Sequence, residues 1–191
     1  NIFYYISINM EKALLLDEVK RIVSKPLHLI RVRNHSELYD LLDDPKTPDV
    51  LRILLHYQNG GNQYASSGHW CAMLINKPAK IIYYYDSYGD KVDATLNHIP
   101  DDKLIEYGQD DKFIDRFLVF AMNRGYEIHY NDHKHQRNGR GINTCGRYSG
   151  CFLKYAKSVD DFHRFLTTYA RHHNCPTYDD AIVKLTQNYF T

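Results

Sequence analysis

Two apolar segments on either side of a short turn constrain the fold of this chain more than any other feature. The segments cover residues 70–75 and 80–86, and residues 76–79 form the turn between them. Apolar segments of strand length separated by a few turn residues are typical of a β-hairpin. Because the open ends of an antiparallel pair lie side by side, His69 and Asp86 at those ends are predicted to be neighbours.

Further strands and helices are predicted around the hairpin. Residues 50–57 are apolar enough for a buried strand, with a helix as the alternative, and residues 126–130 read as a strand. Apolar spacing of three and four residues, with cap and stop residues, predicts helices over residues 10–23, 36–42, 112–123, 145–157, 160–173 and 179–189. No repeat or linker divides the sequence, so residues 1–191 are predicted to form one α+β domain.

The composition excludes several classes of protein. Hydrophobic residues make up 43% and charged residues 25%, which argues against disorder and coiled coil. The formal net charge of +1 argues against a dedicated nucleic-acid-binding protein. No apolar run approaches the roughly 18 residues of a membrane span, and no secretory signal is recognised. Four cysteines without a C-x-x-C pair favour a reducing, intracellular compartment, so we expect no membrane partner and no secretion.

Four polar residues at the ends of predicted elements form a set that suits catalysis. Asp86 beside His69 would fix the ring tautomer and stabilise the imidazolium. Cys145 lies in the first turn of a predicted helix, where unpaired N–H groups and the positive end of the helix dipole favour thiolate over thiol. Gln136, in the polar loop before that helix, offers an amide that would stabilise an oxyanion together with the Cys145 N–H. The set predicts a nucleophile, a base, an orienting carboxylate and an oxyanion donor.

Each of these residues also has an ordinary structural interpretation. A single helical cysteine is more often a small buried hydrophobic residue, and Asp86 before Ser87 also suits a turn. The joint pattern, and no single residue, favours catalysis. Around it, Gly146 is expected to let a substrate approach closely and Trp70 to shape the wall of the cleft, whereas Cys71 is expected only to pack the strand.

The segments around these residues resemble the adenain/Ulp1-like cysteine proteases, and the adenovirus-type maturation proteases most closely. Gly-His-Trp-Cys-Ala-Met-Leu-Ile-Asn-Lys-Pro at 68–78 resembles the family's histidine strand and hairpin. Tyr-Tyr-Asp-Ser-Tyr-Gly at 84–89 resembles its acidic strand, and Asn-Thr-Cys-Gly-Arg-Tyr at 143–148 resembles its nucleophile helix. The likeness covers about residues 50–157. It implies a central mixed β-sheet packed against the nucleophile helix, in a permuted papain-like architecture.

The resemblance also implies a role for each member of the set. The implied roles are general base for His69, orienter for Asp86, oxyanion donor for Gln136 and nucleophile for Cys145. Cys145 follows Gln136 by nine positions, a longer interval than the family usually has. Asn138 and Asn143 are therefore alternative oxyanion donors, and Asn143 is also expected to contact substrate in the cleft.

The resemblance implies a thiol protease that matures viral capsids. Such an enzyme would cleave capsid precursor proteins at small-residue or glycine-containing sites through an acyl-enzyme, without a cofactor. It would come from a virophage or a similar DNA virus and be found in the virion and in the cytoplasm of the infected host cell. Activation by a viral peptide or by DNA is a further implication. The alternative within the same fold is a SUMO- or ubiquitin-like deconjugating protease.

The residues of the polar loop also suggest two non-enzymatic functions for the chain. Histidines that lie within seven residues of one another suggest a zinc site, and these are His129, His133 and His135. Basic and aromatic residues that suit phosphates and bases suggest a nucleic-acid-binding module, and these are Tyr130, Lys134, Arg137, Arg140, Arg147 and Tyr148.

Overall fold

A computed structural model describes residues 10–32, 36–60 and 68–190. The helices in these ranges are α1 Leu16–Val23, α2 Ser36–Asp43, α3 Asp101–Tyr107, α4 Phe113–Asn123, α5 Cys145–Tyr155, α6 Val159–His172 and α7 Tyr178–Thr186. The strands are β1 His28–Arg31, β2 Val50–Gln58, β3 Gly68–Asn76, β4 Ile81–Tyr85 and β5 Glu127–Tyr130. Short 3₁₀ helices cover Ala94–His98 and Gln187–Tyr189.

The five strands form one mixed sheet in the order β1-β2-β3-β4-β5. β2, β3 and β4 are antiparallel neighbours, whereas the two edge strands, β1 and β5, run parallel to β2 and β4. The predicted hairpin is therefore present as β3 and β4, and it lies at the centre of the sheet.

Side chains alternate between the two faces of the sheet, as the two-residue period of a strand requires. On β3 one core receives Trp70, Ala72 and Leu74, and the other receives Cys71, Met73 and Ile75. Helices α1, α5, α6 and α7 cover the first core, and α2, α3 and α4 cover the second. The predicted α+β class, with a central mixed sheet packed against the helix that begins at Cys145, is confirmed.

Helix α5 lies directly against the hairpin strand β3. Ser149 donates a hydrogen bond of 3.0 Å to the carbonyl oxygen of Trp70. Gly150 permits the other side of the helix to approach α1, because a Cβ atom there would lie 3.1 Å from the Ile22 side chain. The helix is consequently held between the sheet and α1, with its first residue directed at the end of β3.

The predicted helix over residues 10–23 is interrupted: Met10 and Glu11 are helical, but residues 12–15 are not. The helix that carries Val19 and Ile22 begins only at Leu16, and residues 12–15 run as irregular chain. The Trp70 indole N–H donates to the carbonyl oxygen of Leu14 at 3.1 Å, a contact that a continuous helix would not offer. The short elements β1 and α3 were not predicted from the sequence.

None of the helices in the described ranges is long and apolar enough to cross a membrane.

Candidate active site

The open end of the β3–β4 hairpin brings His69 and Asp86 together. The last paired residues are Ala72 and Tyr85, so Asp86 lies opposite Cys71 and diagonal to His69 on the same face of the sheet. His69 Nε2 lies 2.8 Å from Asp86 Oδ2, and both side chains are buried. The register of the hairpin therefore produces the predicted histidine–carboxylate pair.

Two further donors hold the Asp86 carboxylate in place. The Cys71 thiol donates to Oδ2 at 3.1 Å, and the Tyr88 backbone N–H donates to Oδ1 at 2.7 Å. Burial and the neighbouring Asp86 charge raise the pKa of the Cys71 thiol to about 12, so the thiol keeps the proton that it donates. Cys71, expected from the sequence only to pack the strand, therefore also supports the site. The signal for this contact was the register itself, which places Cys71 directly across from Asp86.

The His69–Asp86 pair favours a protonated imidazole. Burial alone would lower the pKa of His69, but the Asp86 charge and the hydrogen bond to Asp86 hold it well above its usual range. Burial alone would raise the pKa of Asp86, but the His69 charge and the hydrogen bonds that it accepts lower it. Asp86 can thus remain a carboxylate while His69 carries a proton.

Cys145 is the first residue of α5 and is directed at His69. Both residues line the same cavity, and because Asp86 occupies Nε2, Nδ1 is the ring nitrogen left for the sulfur. Thr144 occupies the N-cap position without capping through its side chain. The sulfur therefore lies at the N-terminal end of α5, where the helix dipole favours negative charge, and on the same cavity as a basic ring.

Gln136 lies buried beside this pair. Its backbone N–H donates to Ser87 O at 2.8 Å, and the Ser87 hydroxyl donates to its Oε1 at 2.7 Å. Accepting that hydrogen bond fixes the orientation of the amide, so that Nε2 points to Tyr88 Oη at 3.0 Å and to Ile142 O at 3.2 Å. Both hydrogens of the amide are thereby engaged, and an oxyanion bound at Nε2 would take the place of Tyr88 Oη or of Ile142 O as acceptor.

Tyr88 links the two parts of the site and was not predicted. Its ring stacks on His69 with 5.2 Å between centroids, and its hydroxyl accepts the Gln136 amide. We call His69, Cys71 and Asp86 the hairpin half of the site, and Gln136, Thr144 and Cys145 the loop half. Tyr88 is in contact with a member of each half, and the turn after Asp86 was the only sequence signal for it.

A cavity of about 280 Å³ opens where the two halves meet. Its lining includes His69, Tyr88, Gln136, Asn138, Asn143 and Cys145. A larger cavity of about 520 Å³ lies on the other side of Gly89 and Asp90, lined by Lys91, Lys112 and Asp115 among others. The smaller cavity is lined by His69, Gln136 and Cys145, and the buried Asp86 lies behind His69, so this cavity is the candidate active site.

The two asparagines considered as oxyanion donors occupy different environments from Gln136. Asn138 is exposed to solvent. Asn143 is tied to the N-terminal segment, because its Nδ2 donates to Glu11 O at 2.7 Å and its backbone N–H donates to Met10 O at 2.7 Å. Of the three amides, that of Gln136 is the one that is both buried and next to His69 and Tyr88.

Two of the residues expected in the cleft lie instead in the core. Trp70 is 3% exposed and packs against α1 and α5. Gly146 is buried, and a Cβ atom there would lie 3.1 Å from the Trp70 ring and 3.2 Å from the Leu14 side chain. Glycine at this position therefore serves the packing of α5 on its neighbours. Of the three cleft residues predicted, Asn143 lines the cavity.

Of the three histidines considered as a zinc site, His133 and His135 both contact His163, whereas His129 has other partners. His129 lies by Tyr83 and Glu127, whereas His133 stacks on His163 with 3.6 Å between centroids. The buried His135 is within 3.0 Å of both Tyr85 Oη and His163 Nδ1, through its two ring nitrogens. In the described ranges, the only three metal-binding side chains with ligand atoms within 4.8 Å of one another are those of His69, Cys71 and Asp86.

The basic cluster predicted around the loop does not form a continuous surface. Arg147 and Tyr148 are buried in α5, and the Arg147 guanidinium donates to Thr186 Oγ1 at 2.6 Å. Lys134, Arg137 and Arg140 are exposed. Arg147 and Tyr148 are therefore not available to phosphates or bases, because they support the interior of the fold.

The matches of this chain to known proteins are at low identity. No protein-family model matches it. It is 26% identical to uncharacterized protein V9 of Sputnik virophage over 128 residues, which cover 66% of each chain. Among solved structures, ChlaDub1 from Chlamydia trachomatis matches with 13% identity and a TM-score of 0.33, over 96% of this chain and 78% of its own. The yeast Ulp1 protease domain bound to Smt3 matches with 16% identity and a TM-score of 0.33, over 97% and 76%.

Proposed function

We propose that the chain is a cysteine endopeptidase that works through an acyl-enzyme. The Cys145 sulfur attacks the scissile carbonyl, and the Gln136 amide and the Cys145 backbone N–H receive the oxyanion. His69 gives its proton to the leaving amine, and Asp86 stabilises the imidazolium until then. His69 then removes a proton from water, which attacks the thioester and releases the acid while the sulfur returns to its starting state.

The observation that carries this proposal is the convergence of three separate chain segments on one small cavity, with a fourth segment paired behind them. His69, Gln136 and Cys145 line the cavity, Asp86 is paired with His69 at 2.8 Å, and the Gln136 amide is oriented by Ser87. A purely structural role for these residues does not require a nucleophile, a base, an orienting carboxylate and an oxyanion donor around the same opening. Acyl transfer requires all four.

Within this reaction class, we propose that the substrate is a viral capsid precursor. The support is the likeness to a virophage protein, together with the adenain-type motifs around His69, Asp86 and Cys145. The small cavity suits small residues at the cleavage site. On this proposal the enzyme acts in the infected cell and in the virion, and activation by a viral peptide or by DNA is a further prediction.

The test uses wild type, Cys145→Ala and Cys151→Ala. The substrates are a peptidyl-Gly-Gly-aminomethylcoumarin, the same coumarin on the C-terminus of ubiquitin or of SUMO, and the major capsid protein encoded with this chain. We expect wild type and Cys151→Ala to release coumarin from the peptide and to cut the capsid protein, and Cys145→Ala to do neither. Cys151 is a matched control because it is buried in the same helix without lining the cavity.

The possible outcomes test the peptidase mechanism, the capsid substrate and the activation separately. Activity retained by a folded Cys145→Ala variant would overturn the peptidase mechanism. Cleavage of the ubiquitin or SUMO conjugate without cleavage of the capsid protein would keep the mechanism and replace maturation by deconjugation. Addition of DNA or of capsid-derived peptides to the wild-type assay tests the predicted activation.

A further inference from the structure

One buried carboxylate outside the cavity joins the two ends of the loop half of the site. Asp179 lies in the first turn of α7 and is fully buried. The start of that helix is fixed by a capping box, in which Thr177 and Asp180 satisfy each other's backbone N–H groups. Asp179 is therefore presented from a well-anchored position.

Three donors from two other segments reach this carboxylate, and the Tyr148 hydroxyl, whose nearer acceptor is His135 O at 3.1 Å, lies beside it. The Arg137 backbone N–H and its Nε each donate to Oδ2 at 3.1 Å. The Thr144 hydroxyl donates to Oδ1 at 2.7 Å, and the Tyr148 hydroxyl lies 3.3 Å from the same oxygen. A buried carboxylate is costly unless it is paired and hydrogen-bonded, and here both oxygens are occupied.

Two of the residues that donate to Asp179 are direct sequence neighbours of the proposed reactive residues of the loop half. Arg137 directly follows Gln136, the proposed oxyanion donor, and Thr144 directly precedes Cys145, the proposed nucleophile. In a common N-cap the Thr144 hydroxyl would accept a hydrogen bond from an N–H group of its own helix. Here it donates a hydrogen bond to Asp179 instead. One rigid group thus sets the separation between the two residues that must meet the same carbonyl carbon and oxygen.

We propose that Asp179 is a positioning residue for the oxyanion hole, an inference that rests on the proposed peptidase function. In an uncharged asparagine one of the two acceptor oxygens becomes an NH2 donor, so either the Arg137 N–H groups or the Thr144 hydroxyl lose their acceptor, and the segment that carries Gln136 relaxes relative to Cys145. The loss falls on the transition state, in which the oxyanion forms, and not on substrate binding. A displacement of about 1 Å at such a site lowers the rate on the order of 100-fold.

The experiment compares Asp179→Asn with Asp160→Asn, using the peptidyl-Gly-Gly-aminomethylcoumarin. Asp160 is a matched control because it takes the same place in the first turn of α6 but is exposed. The readouts are kcat, KM and the rate constant for alkylation of Cys145 by iodoacetamide. Alkylation displaces iodide from a methylene carbon and forms no oxyanion, so it reports on the sulfur and His69 without the oxyanion hole.

We expect Asp179→Asn to lower kcat by roughly 10- to 100-fold, with KM and the alkylation rate changed by less than about twofold. Asp160→Asn should leave all three values within the same limit. An unchanged kcat, or an alkylation rate that falls in step with kcat, would overturn the positioning role. A wild type that turns over no substrate would instead overturn the proposed function and this inference with it.

A second pair of variants covers the case in which Asp179→Asn does not fold. Thr144→Val removes the hydroxyl that binds Asp179, and Thr144→Ser restores it. We expect the valine variant to lower kcat at unchanged KM and the serine variant to recover most of the wild-type rate. Equal rates for the two variants would contradict the proposal.

Discussion

The hairpin half of the site is positioned by backbone register, whereas the loop half is positioned by side-chain hydrogen bonds. His69 and Asp86 meet because β3 and β4 pair as they do, and the sheet holds them from both sides. Gln136 and Cys145 depend on polar contacts with Ser87, Tyr88 and Asp179. The first arrangement follows from strand pairing and the second from tertiary polar contacts, so the two halves should respond differently to substitution.

Two buried histidines, one in the hairpin half and one beside the loop half, have pKa values that are shifted in opposite directions. In the hairpin half, Asp86 holds the pKa of His69 well above its usual range despite burial. Beside the loop half, burial and the neighbouring His163 and His133 lower the pKa of His135 to about 3. His69 is therefore a group that the fold keeps protonated, and His135 is a group that the fold keeps neutral.

The largest effect is expected from removing the Asp86 charge in the hairpin half. Asp86→Asn removes the charge that stabilises the imidazolium and disturbs the ring tautomer, so kcat/KM should fall roughly 10³- to 10⁴-fold. The measurement is steady-state cleavage of the coumarin peptide. Asp132→Asn is the control, because Asp132 also lies near a histidine, His133, at 3.8 Å, but is exposed. A loss of less than tenfold for Asp86→Asn would contradict the assigned role.

The next effect is expected from the loop half. Gln136→Ala removes a held oxyanion donor and should lower kcat by roughly 10²- to 10³-fold. The exposed Asn138 should tolerate alanine with a change of less than about twofold, by the general behaviour of exposed positions. Parallel kinetics of the two variants on the coumarin peptide decide the point. If Asn138→Ala, or Asn143→Ala, shows the large loss instead, the oxyanion role belongs to that residue.

A smaller effect, on stability, is expected where α5 packs on the hairpin strand. Gly146→Ala places a methyl group 3.1 Å from the Trp70 ring and should lower the free energy of unfolding by about 1–3 kcal/mol. Gly139→Ala is the comparison, since the nearest atom to a Cβ there is the flexible end of Ile142 at 3.3 Å. Urea denaturation measures both. Equal stability of the two variants would mean that α5 has room to move.

The smallest effect concerns the pH dependence of stability. The unfolded chain protonates His135 near pH 6.5, but the folded chain does so only at a pKa of about 3, so stability is lost as the pH falls below about 6.5. His69 has the opposite sign, and its contribution is lost as the pH rises through its raised pKa. In His135→Gln the slope of unfolding free energy between pH 6 and 4.5 should decrease by up to about 1.4 kcal/mol per pH unit. An unchanged slope in urea titrations would show that His135 is not kept neutral.

The same contrast explains what the sequence predicts about this chain. The hairpin, strand β2 and helices α4 and α5 have clear apolar patterns, and the His69–Asp86 pair follows from the hairpin. Strand β1 has four residues and α3 has seven without a side-chain cap, so neither gives a strong local signal.

The supporting residues of the site lie beyond local pattern. Tyr88 and Asp179 act through contacts with residues that are distant in the sequence, and Arg147 is buried only because α5 packs between other elements. Trp70 was assigned to the cleft because of its neighbour His69, but successive residues of a strand face opposite sides, and the indole lies in the core. The sequence motifs therefore predict the reactive residues better than they predict the residues that hold them in position.

The most direct test of the central claim is the rate at which iodoacetamide alkylates each cysteine at pH 7. Burial raises the pKa of Cys71, Cys151 and Cys175, and only Cys145 lines the cavity with His69. We expect Cys145 to be labelled well before the other three, and His69→Ala to slow its labelling on the order of tenfold or more. Labelling of all four cysteines at similar rates, or a Cys145 rate that is unaffected by His69→Ala, would contradict the account.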